Sequence, residues 1–265
     1  MARHQIAPTP WLIPDWPAPA RVVACCTLRT GGYSATPYDS LNLGDHVGDA
    51  VQTVARNRAL LQARLGVRPV FLNQVHGTEL LQLDASTPDG QKADGAFTSR
   101  MGLACTVMVA DCLPVMLCDT QGSMVAVVHA GWRGLVGVEG LGIIERICEQ
   151  FAAPALVKYS KHATDLIAWL GPCIGPGAFE VGDEVLQGFV RTDPLAAQCF
   201  TPHSAGKWLA DLAGLTRQRL HARGVTRIFG NDSGPEWCTV GNPLSFFSHR
   251  RDRVSGRLAA CIWLR

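Results

Sequence analysis

The sequence predicts a single layered α+β domain. Short β-branched or Leu-rich runs bounded by turn residues recur along the chain, among them Leu103–Val109 and Leu258–Leu264. Fewer stretches repeat their apolar residues at helical spacing, and these fall among the strands without a regular β-α-β alternation. No internal repeat, low-complexity segment or obvious linker divides the 265 residues, a length one large domain can fill. Residues 1–20, punctuated by Pro8, Pro10, Pro14, Pro17 and Pro19, read as a proline-rich lead-in, and residues 21–265 as the domain itself.

In chain order, residues 21–28 form the first strand, stopped by the Gly31-Gly32 turn. A loop rich in Gly and Asn runs to Asp49. Asp49 and Gln52 have the spacing of a capping box, and Val51, Val54, Leu61 and Leu65 make a helical stripe closed by Gly66. Arg58 falls on that stripe and reads first as a buried structural ion pair. Residues 70–75, 103–109, 115–117 and 124–128 are the central strands. After a turn at 131–134, Leu135, Val138, Leu141, Ile144 and Cys148 repeat as one long helix. Residues 168–170 are a strand entering the Gly/Pro turn at 171–177. Trp208, Leu209, Leu212 and Leu220 mark a helix ended by Gly224, and residues 226–229 and 258–264 are the last strands.

Composition narrows the function. Lys and Arg number 24 against 22 Asp and Glu, a net charge of +2 that makes no case for a nucleic-acid partner. The apolar runs end in Asp or His far short of the roughly 20 residues that span a bilayer, and the first twenty residues lack the apolar core of a signal peptide. A cytoplasmic protein is expected. Most of the ten cysteines have apolar neighbours, such as Cys25 and Cys26 after Val22-Val23, and read as small buried hydrophobes. No Cys-x-x-Cys pair exists, which excludes a zinc ribbon or a thioredoxin-type centre.

Three segments place reactive groups at the ends of apolar strands: Leu72-Asn73-Gln74-Val75-His76-Gly77, Val109-Ala110-Asp111-Cys112-Leu113-Pro114 and Val127-Val128-His129-Ala130-Gly131-Trp132-Arg133-Gly134. Strand alternation puts Leu72, Gln74 and His76 on one face, and Pro114 is expected to stop regular pairing. Two imidazoles and a thiolate suit zinc, with three protein ligands and a fourth position open. Taken singly, a strand-end His is more often a hydrogen-bonded structural residue and a lone Cys more often core. The arginines form a second group: Arg29 beside Gly31-Gly32, Arg133 at a helix start, and Arg250, Arg251 and Arg257 near the C-terminus. Glycine turns and helix starts expose N–H groups, and guanidinium forks bind phosphate bidentately. The bland alternative is a solvated charge run.

These motifs, with Ser40-Leu41-Asn42-Leu43, Asn57-Arg58, Leu170-Gly171-Pro172-Cys173-Ile174-Gly175 and Phe247-Ser248-His249-Arg250-Arg251-Asp252, occur in the order of a known family. The chain resembles the laccase-domain, or multicopper polyphenol oxidase, family, now regarded as purine nucleoside phosphorylases with adenosine deaminase activity. The resemblance runs from about residue 21 to residue 264. It implies a cysteine-hydrolase-like fold of mixed sheets flanked by helices, forming one catalytic domain. It also implies zinc on His76, Cys112 and His129, with copper as a possible substitute. Asp111 and Cys112 become the catalytic candidates, and Arg29, Asn42, Arg133 and Arg250 the candidates for substrate or phosphate. The implied substrates are adenosine, inosine, guanosine and methylthioadenosine together with phosphate. His249 stands where many members carry Tyr.

Two rival activities use the same residues. A multicopper oxidase resembles others of its kind in needing paired His-x-His motifs and about ten histidines, whereas this chain has 8 and no such pair. A cysteine hydrolase, with Cys112 as nucleophile and His129 or His76 as base, is the other; some members are linked to peptidoglycan precursor editing. Asp111 is expected either to shuttle a proton or to orient a ligand histidine.

Overall fold

The computed structural model describes residues 11–152 and 165–265, so Pro8 and Pro10 of the lead-in lie outside the described residues. Two sheets face each other. The larger has six strands in the order Arg227–Gly230, Leu166–Leu170, Leu113–Asp119, Val125–Ala130, Gly95–Thr98 and Leu80–Gln82. The smaller has four, Val22–Cys26, Leu258–Leu264, Leu103–Val109 and Arg68–Val70. Both mix antiparallel and parallel pairs.

Alternation along the strands explains the layering. On Leu113–Asp119, Met116 and Cys118 pack toward Val107 and Ile262 of the four-stranded sheet. Val115 and Leu117 pack the other way, with Ile144, Phe151 and Leu215 from the helices Ile143–Ala152 and Leu212–Ala222. The outer face of the small sheet, Ala104, Cys261 and Trp263, takes Leu61 and Leu65 of the helix Val51–Leu65. The result is helix, sheet, sheet, helix. Strands covered on both faces lose the apolar–polar alternation and read as unbroken apolar runs. All seven residues of Leu103–Val109 and of Leu258–Leu264 are buried. The layered α+β expectation therefore holds, and seven of the ten cysteines, all free, are buried in this interior.

Several local expectations give way to specific contacts. The Asp49 carboxylate does not cap its helix. It accepts from Ser34 Oγ at 2.6 Å and Asn42 Nδ2 at 2.9 Å, leaving Ala50 as a cap without a side-chain bond and Val51 exposed. Gly66 ends that helix at φ 70°, as read. Arg58 pairs with Asp45 at 3.2 Å, donates to the Leu43 carbonyl and lies over Phe71, which bears out its structural reading. The strand expected over 70–75 is two pieces, Arg68–Val70 and Leu72–Asn73. Pro114 does not end pairing, because it sits opposite His129 near the start of its strand and its carbonyl accepts from Gly171.

The long helix after residue 131 is two helices, Trp132–Val136 and Ile143–Ala152. Gly137 adopts φ 62° and ψ −152°, a glycine conformation that a helix cannot continue through. A Cβ on Gly142 would overlap the Leu135 carbonyl, so the turn is closed around it. Val138 and Leu141, placed on the helical stripe by their spacing, are exposed on that turn. Trp208 and Leu209 belong to the strand Lys207–Ala210, which joins Phe200–Ser204 and Glu180–Gly182 in a small third sheet that period alone did not reveal. The helix begins only at Leu212, capped by Asp211 through Gly214 N–H. Among the described residues, no helix is long and apolar enough to cross a membrane.

Candidate metal centre

The two sheets meet at the segment Ala110-Asp111-Cys112. Leu103–Val109 ends in the small sheet and Leu113–Asp119 begins in the large one. Asp111 takes φ 96° to make the crossing, which leaves Cys112 at the seam. His129 lies in the next strand, opposite Pro114. His76 arrives from a turn, at φ 60°, and not from a strand face. The strand has already ended at Asn73, and Gln74 turns its amide to Met108, donating to its carbonyl at 2.8 Å and accepting its N–H at 2.7 Å. The face expected for Leu72, Gln74 and His76 therefore does not form, yet the imidazole still reaches Cys112.

One ligand atom from each of His76, Cys112 and His129 lies within 4.8 Å of the others. Tetrahedral zinc with bonds of about 2.0–2.3 Å holds such atoms roughly 3.5 Å apart, a small side-chain adjustment away. The two imidazole rings meet edge to face, 4.7 Å between centroids. Gly131 lets His76 and Cys112 converge, since a Cβ there would lie 3.0 Å from His76 Cδ2 and 3.1 Å from Cys112 Sγ. The donor set, one thiolate and two imidazoles, fits zinc or a late transition ion, and among the described residues it is the only such cluster.

The sequence reading missed Asp94. Its carboxylate is fully buried and accepts from His129 Nδ1 at 2.9 Å. It also accepts the backbone N–H groups of Val75, His76 and Gly77 at 3.1, 2.8 and 2.7 Å. One side chain thus fixes the ring of one ligand and the backbone of another, the usual service of a carboxylate behind a metal-bound histidine. One reading of Asp111 had it orient a ligand histidine, but its oxygens go elsewhere, to Thr239 Oγ1 at 2.6 Å and the Arg250 N–H at 2.6 Å, and Asp94 bonds the His129 ring instead. The only sequence signal for Asp94 is an acid directly before an apolar strand, which does not distinguish it from a turn residue.

Electrostatics set Cys112 apart from the other cysteines. Burial would push its thiol up, but the charge of His129 and the hydrogen bonds from both imidazoles together outweigh that and bring it down to about 6. Burial would push His129 down, but the thiolate and the Asp94 bond raise it to about 9. Burial moves the thiols of Cys26, Cys105 and Cys173 the opposite way, well up, and Cys148 to about 12. In chelated protein at pH 7, Cys112 should therefore be the thiol alkylated fastest by iodoacetamide, and zinc should protect it. Peptide mass spectrometry reads this directly, and equal labelling with and without zinc would count against Cys112 as a ligand.

The cluster opens onto a cleft of about 480 Å³ whose lining includes Asp111, Arg133 and Arg250. Arg133 is exposed, lies over the Trp132 ring at 4.4 Å and has no carboxylate partner among the described residues. Arg250 donates to the Ala178 and Glu180 carbonyls at 3.2 and 3.1 Å while still lining the cleft. Arg29 and Asn42 are not brought to it. The Arg29 guanidinium is held by Asp39 and the Pro243 carbonyl and covers Phe247. Asn42 is fully buried, bonded to Gly44, Asp49 and the Arg257 N–H. Arg257 and Arg253, by contrast, do line the cleft.

Residues 23–265 match the family described as multi-copper polyphenol oxidoreductase laccase. Curated relatives named purine nucleoside phosphorylase include one from Pseudomonas aeruginosa, 44% identical over 96% of this chain and 98% of that protein. Another is YfiH of Escherichia coli, 44% identical with the same coverage. Among solved structures, a Neisseria meningitidis protein superposes with a TM-score of 0.88 at 41% identity, covering 97% of this chain and 99% of the other. YlmD of Geobacillus stearothermophilus gives 0.83 at 30% identity, with 93% of each chain covered.

Proposed function

Because the chain belongs to the family of multi-copper polyphenol oxidoreductase laccases, we propose that it is a zinc-dependent purine nucleoside phosphorylase with adenosine deaminase activity. The relatives' printed names support the phosphorylase. The observation that carries the reading is the cluster of His76, Cys112 and His129 set in the wall of a cleft that also holds the Arg133 guanidinium, which has no carboxylate partner among the described residues. Among the described residues there is one three-residue cluster, where a multicopper oxidase needs several copper sites, so copper enters this reading only as a substitute ion. When bound, zinc supplies Lewis acidity beside the substrate.

The chain's own residues supply the rest. Phosphorolysis breaks the bond from the ribose C1′ to the base and forms one to a phosphate oxygen, so the anion must be held against an oxocarbenium-like carbon. Arg133 is placed for the anion, with Arg250 beside it. The leaving base needs a proton, and deamination needs one moved between water and the amino group. Asp111 is the one acid in the cleft lining, and its two oxygens are aimed by the Thr239 hydroxyl and the Arg250 N–H. Zinc-loaded protein should convert adenosine and inosine in the presence of phosphate, and adenosine to inosine without it, with products separated by chromatography. No conversion in any of these mixtures would overturn the reading.

Arg133→Gln tests the anion site. Because the guanidinium is solvent-exposed, its loss should cost about 1–2 kcal/mol, read as a KM for phosphate raised roughly 5–30-fold. Deamination, which takes no phosphate, should fall less. Equal losses of both activities would place Arg133 in the fold and not at the anion.

One observation favours a second reading. Cys112, His129 and Asp94 stand in the relation of nucleophile, base and orienting acid. A cysteine hydrolase of this kind would work in chelated protein and be blocked by zinc, the opposite metal dependence from that proposed.

A further inference from the structure

Among the described residues, two pairs of cysteines stand opposite each other in strand register. Cys25 and Cys261 are sealed in the core, 1% and 0% exposed. Cys173 and Cys238 are partners in an isolated parallel bridge, outside any sheet. The bridge is bonded on both sides of Cys238. Cys173 N–H donates to the Trp237 carbonyl at 3.2 Å, and Thr239 N–H donates to the Cys173 carbonyl at 2.9 Å. Partners one strand spacing apart, about 4.8 Å, lie within the roughly 4.4–6.8 Å between Cα atoms that a disulfide spans. No ladder of neighbouring strands resists the small shift such a bond requires.

The two sulfurs differ in access. Cys173 is 2% exposed, its sulfur accepts from Asn231 Nδ2 at 3.3 Å, and burial holds its thiol well above the ordinary range. Cys238 is half-buried, and its sulfur accepts the Gly175 and Gly241 N–H groups at 3.3 and 3.4 Å. Gly175 leaves room for it, since a Cβ there would lie 3.0 Å from both Cβ and Sγ of Cys238. One sulfur is thus fixed where solvent reaches it and its register partner is shielded, the arrangement of an accessible redox thiol beside a resolving one. The residues that follow the two cysteines both hold Asp111, the one acid in the cleft lining. Ile174 N–H donates to its carbonyl at 2.8 Å, and Thr239 Oγ1 donates to its carboxylate at 2.6 Å. Closing a bond between residues 173 and 238 pulls the Cys238 sulfur off its two amides and moves Thr239 with the backbone.

We propose that Cys173 and Cys238 are a redox modification site, oxidised by a hydroperoxide to a disulfide that displaces Asp111 and lowers turnover. The Cys238 thiolate attacks the terminal peroxide oxygen and the O–O bond breaks. Cys238 becomes a sulfenic acid, while the hydroxide or alkoxide leaves and takes a solvent proton. The Cys173 sulfur then attacks the sulfenic sulfur, the S–O bond breaks, and hydroxide departs with the Cys173 proton as water. The two sulfurs give up two electrons in all, and the peroxide takes them. Only the effect on turnover rests on the purine reading above.

Treating zinc-loaded protein with hydrogen peroxide and digesting it without reduction tests the pair by peptide mass spectrometry. The peptides carrying Cys173 and Cys238 should appear joined and should separate on reduction. Cys173→Ser should leave a sulfenic acid on Cys238 that dimedone traps, and Cys238→Ser should leave Cys173 a thiol. Phosphorolysis of inosine should fall at least about tenfold on oxidation, as expected when a reacting group is misplaced, and return with reductant. Cys238→Ser should keep its activity through the same treatment. Oxidation that joins other cysteines, or leaves both of these thiols intact, overturns the pair. A joined pair with unchanged phosphorolysis, or an equal loss in Cys238→Ser, overturns its hold on Asp111. Protein that converts no nucleoside before oxidation overturns the purine reading alone, and the peptide masses still decide the pair.

Discussion

Cys112→Ala should retain its fold and lose both its metal and its turnover. Cys112 is half-buried at the seam between the sheets, so removing one sulfur should cost on the order of 1 kcal/mol of stability. The functional loss is of another size. Two imidazoles remain of three ligands, and transition-state stabilisation drawn from the metal is typically several kcal/mol, so turnover should fall by about 10³-fold or more. Elemental analysis after gel filtration should find the zinc gone, while the melting curve of chelated wild type overlays that of the variant. A folded, metal-poor Cys112→Ala protein with full nucleoside turnover would remove the metal from the mechanism. The comparison with chelated wild type also separates the rival hydrolase, which would be active without metal and lose everything with the sulfur.

The sequence made the interior legible for a physical reason. Strands covered on both faces carry nearly continuous apolar residues, so Leu103–Val109 and Leu258–Leu264 stand out with correct bounds. The cluster was legible because His76, Cys112 and His129 sit in motifs with unusual neighbours, although 36 and 17 residues separate them. What failed was what depends on tertiary contact. Leu135, Val138 and Leu141 keep helical spacing through Gly137 and Gly140, but those glycines turn the chain and expose two of the three. Trp208 and Leu209 carry no period of their own and are fixed by pairing with Glu180–Gly182. Arg29 and Arg133 look alike as arginines near glycines. Only the fold shows that one is tied to Asp39 and the Pro243 carbonyl and that the other lines the cleft.

Asp94→Asn should be the most costly single change near the centre, because one carboxylate positions both histidines of the cluster. Its oxygens take three backbone N–H groups and the His129 ring, all donors, and burial leaves no water to replace them. An amide keeps the shape but offers two donors of its own where acceptors are required. Buried donors left without partners cost about 1–3 kcal/mol each, and loss of a buried charge partner raises the total to about 3–5 kcal/mol. For a chain of this size a loss of 3 kcal/mol lowers the melting temperature by roughly 6–12 °C. Zinc affinity should drop 10–100-fold even where the protein remains folded, because the His129 ring loses its orienting acceptor and the His76 turn its anchor. Competition with a chelator at low temperature measures that directly. The acid limb of stability reports the same group. Its His129 and backbone bonds hold Asp94 below the usual carboxylate range against the cost of burial, so its contribution is complete above about pH 4 and fades as pH falls below that. Wild type should therefore lose stability on acidification more steeply than Asp94→Asn. Parallel acid limbs, or unchanged zinc affinity in a folded variant, would reduce Asp94 to a residue of the turn alone.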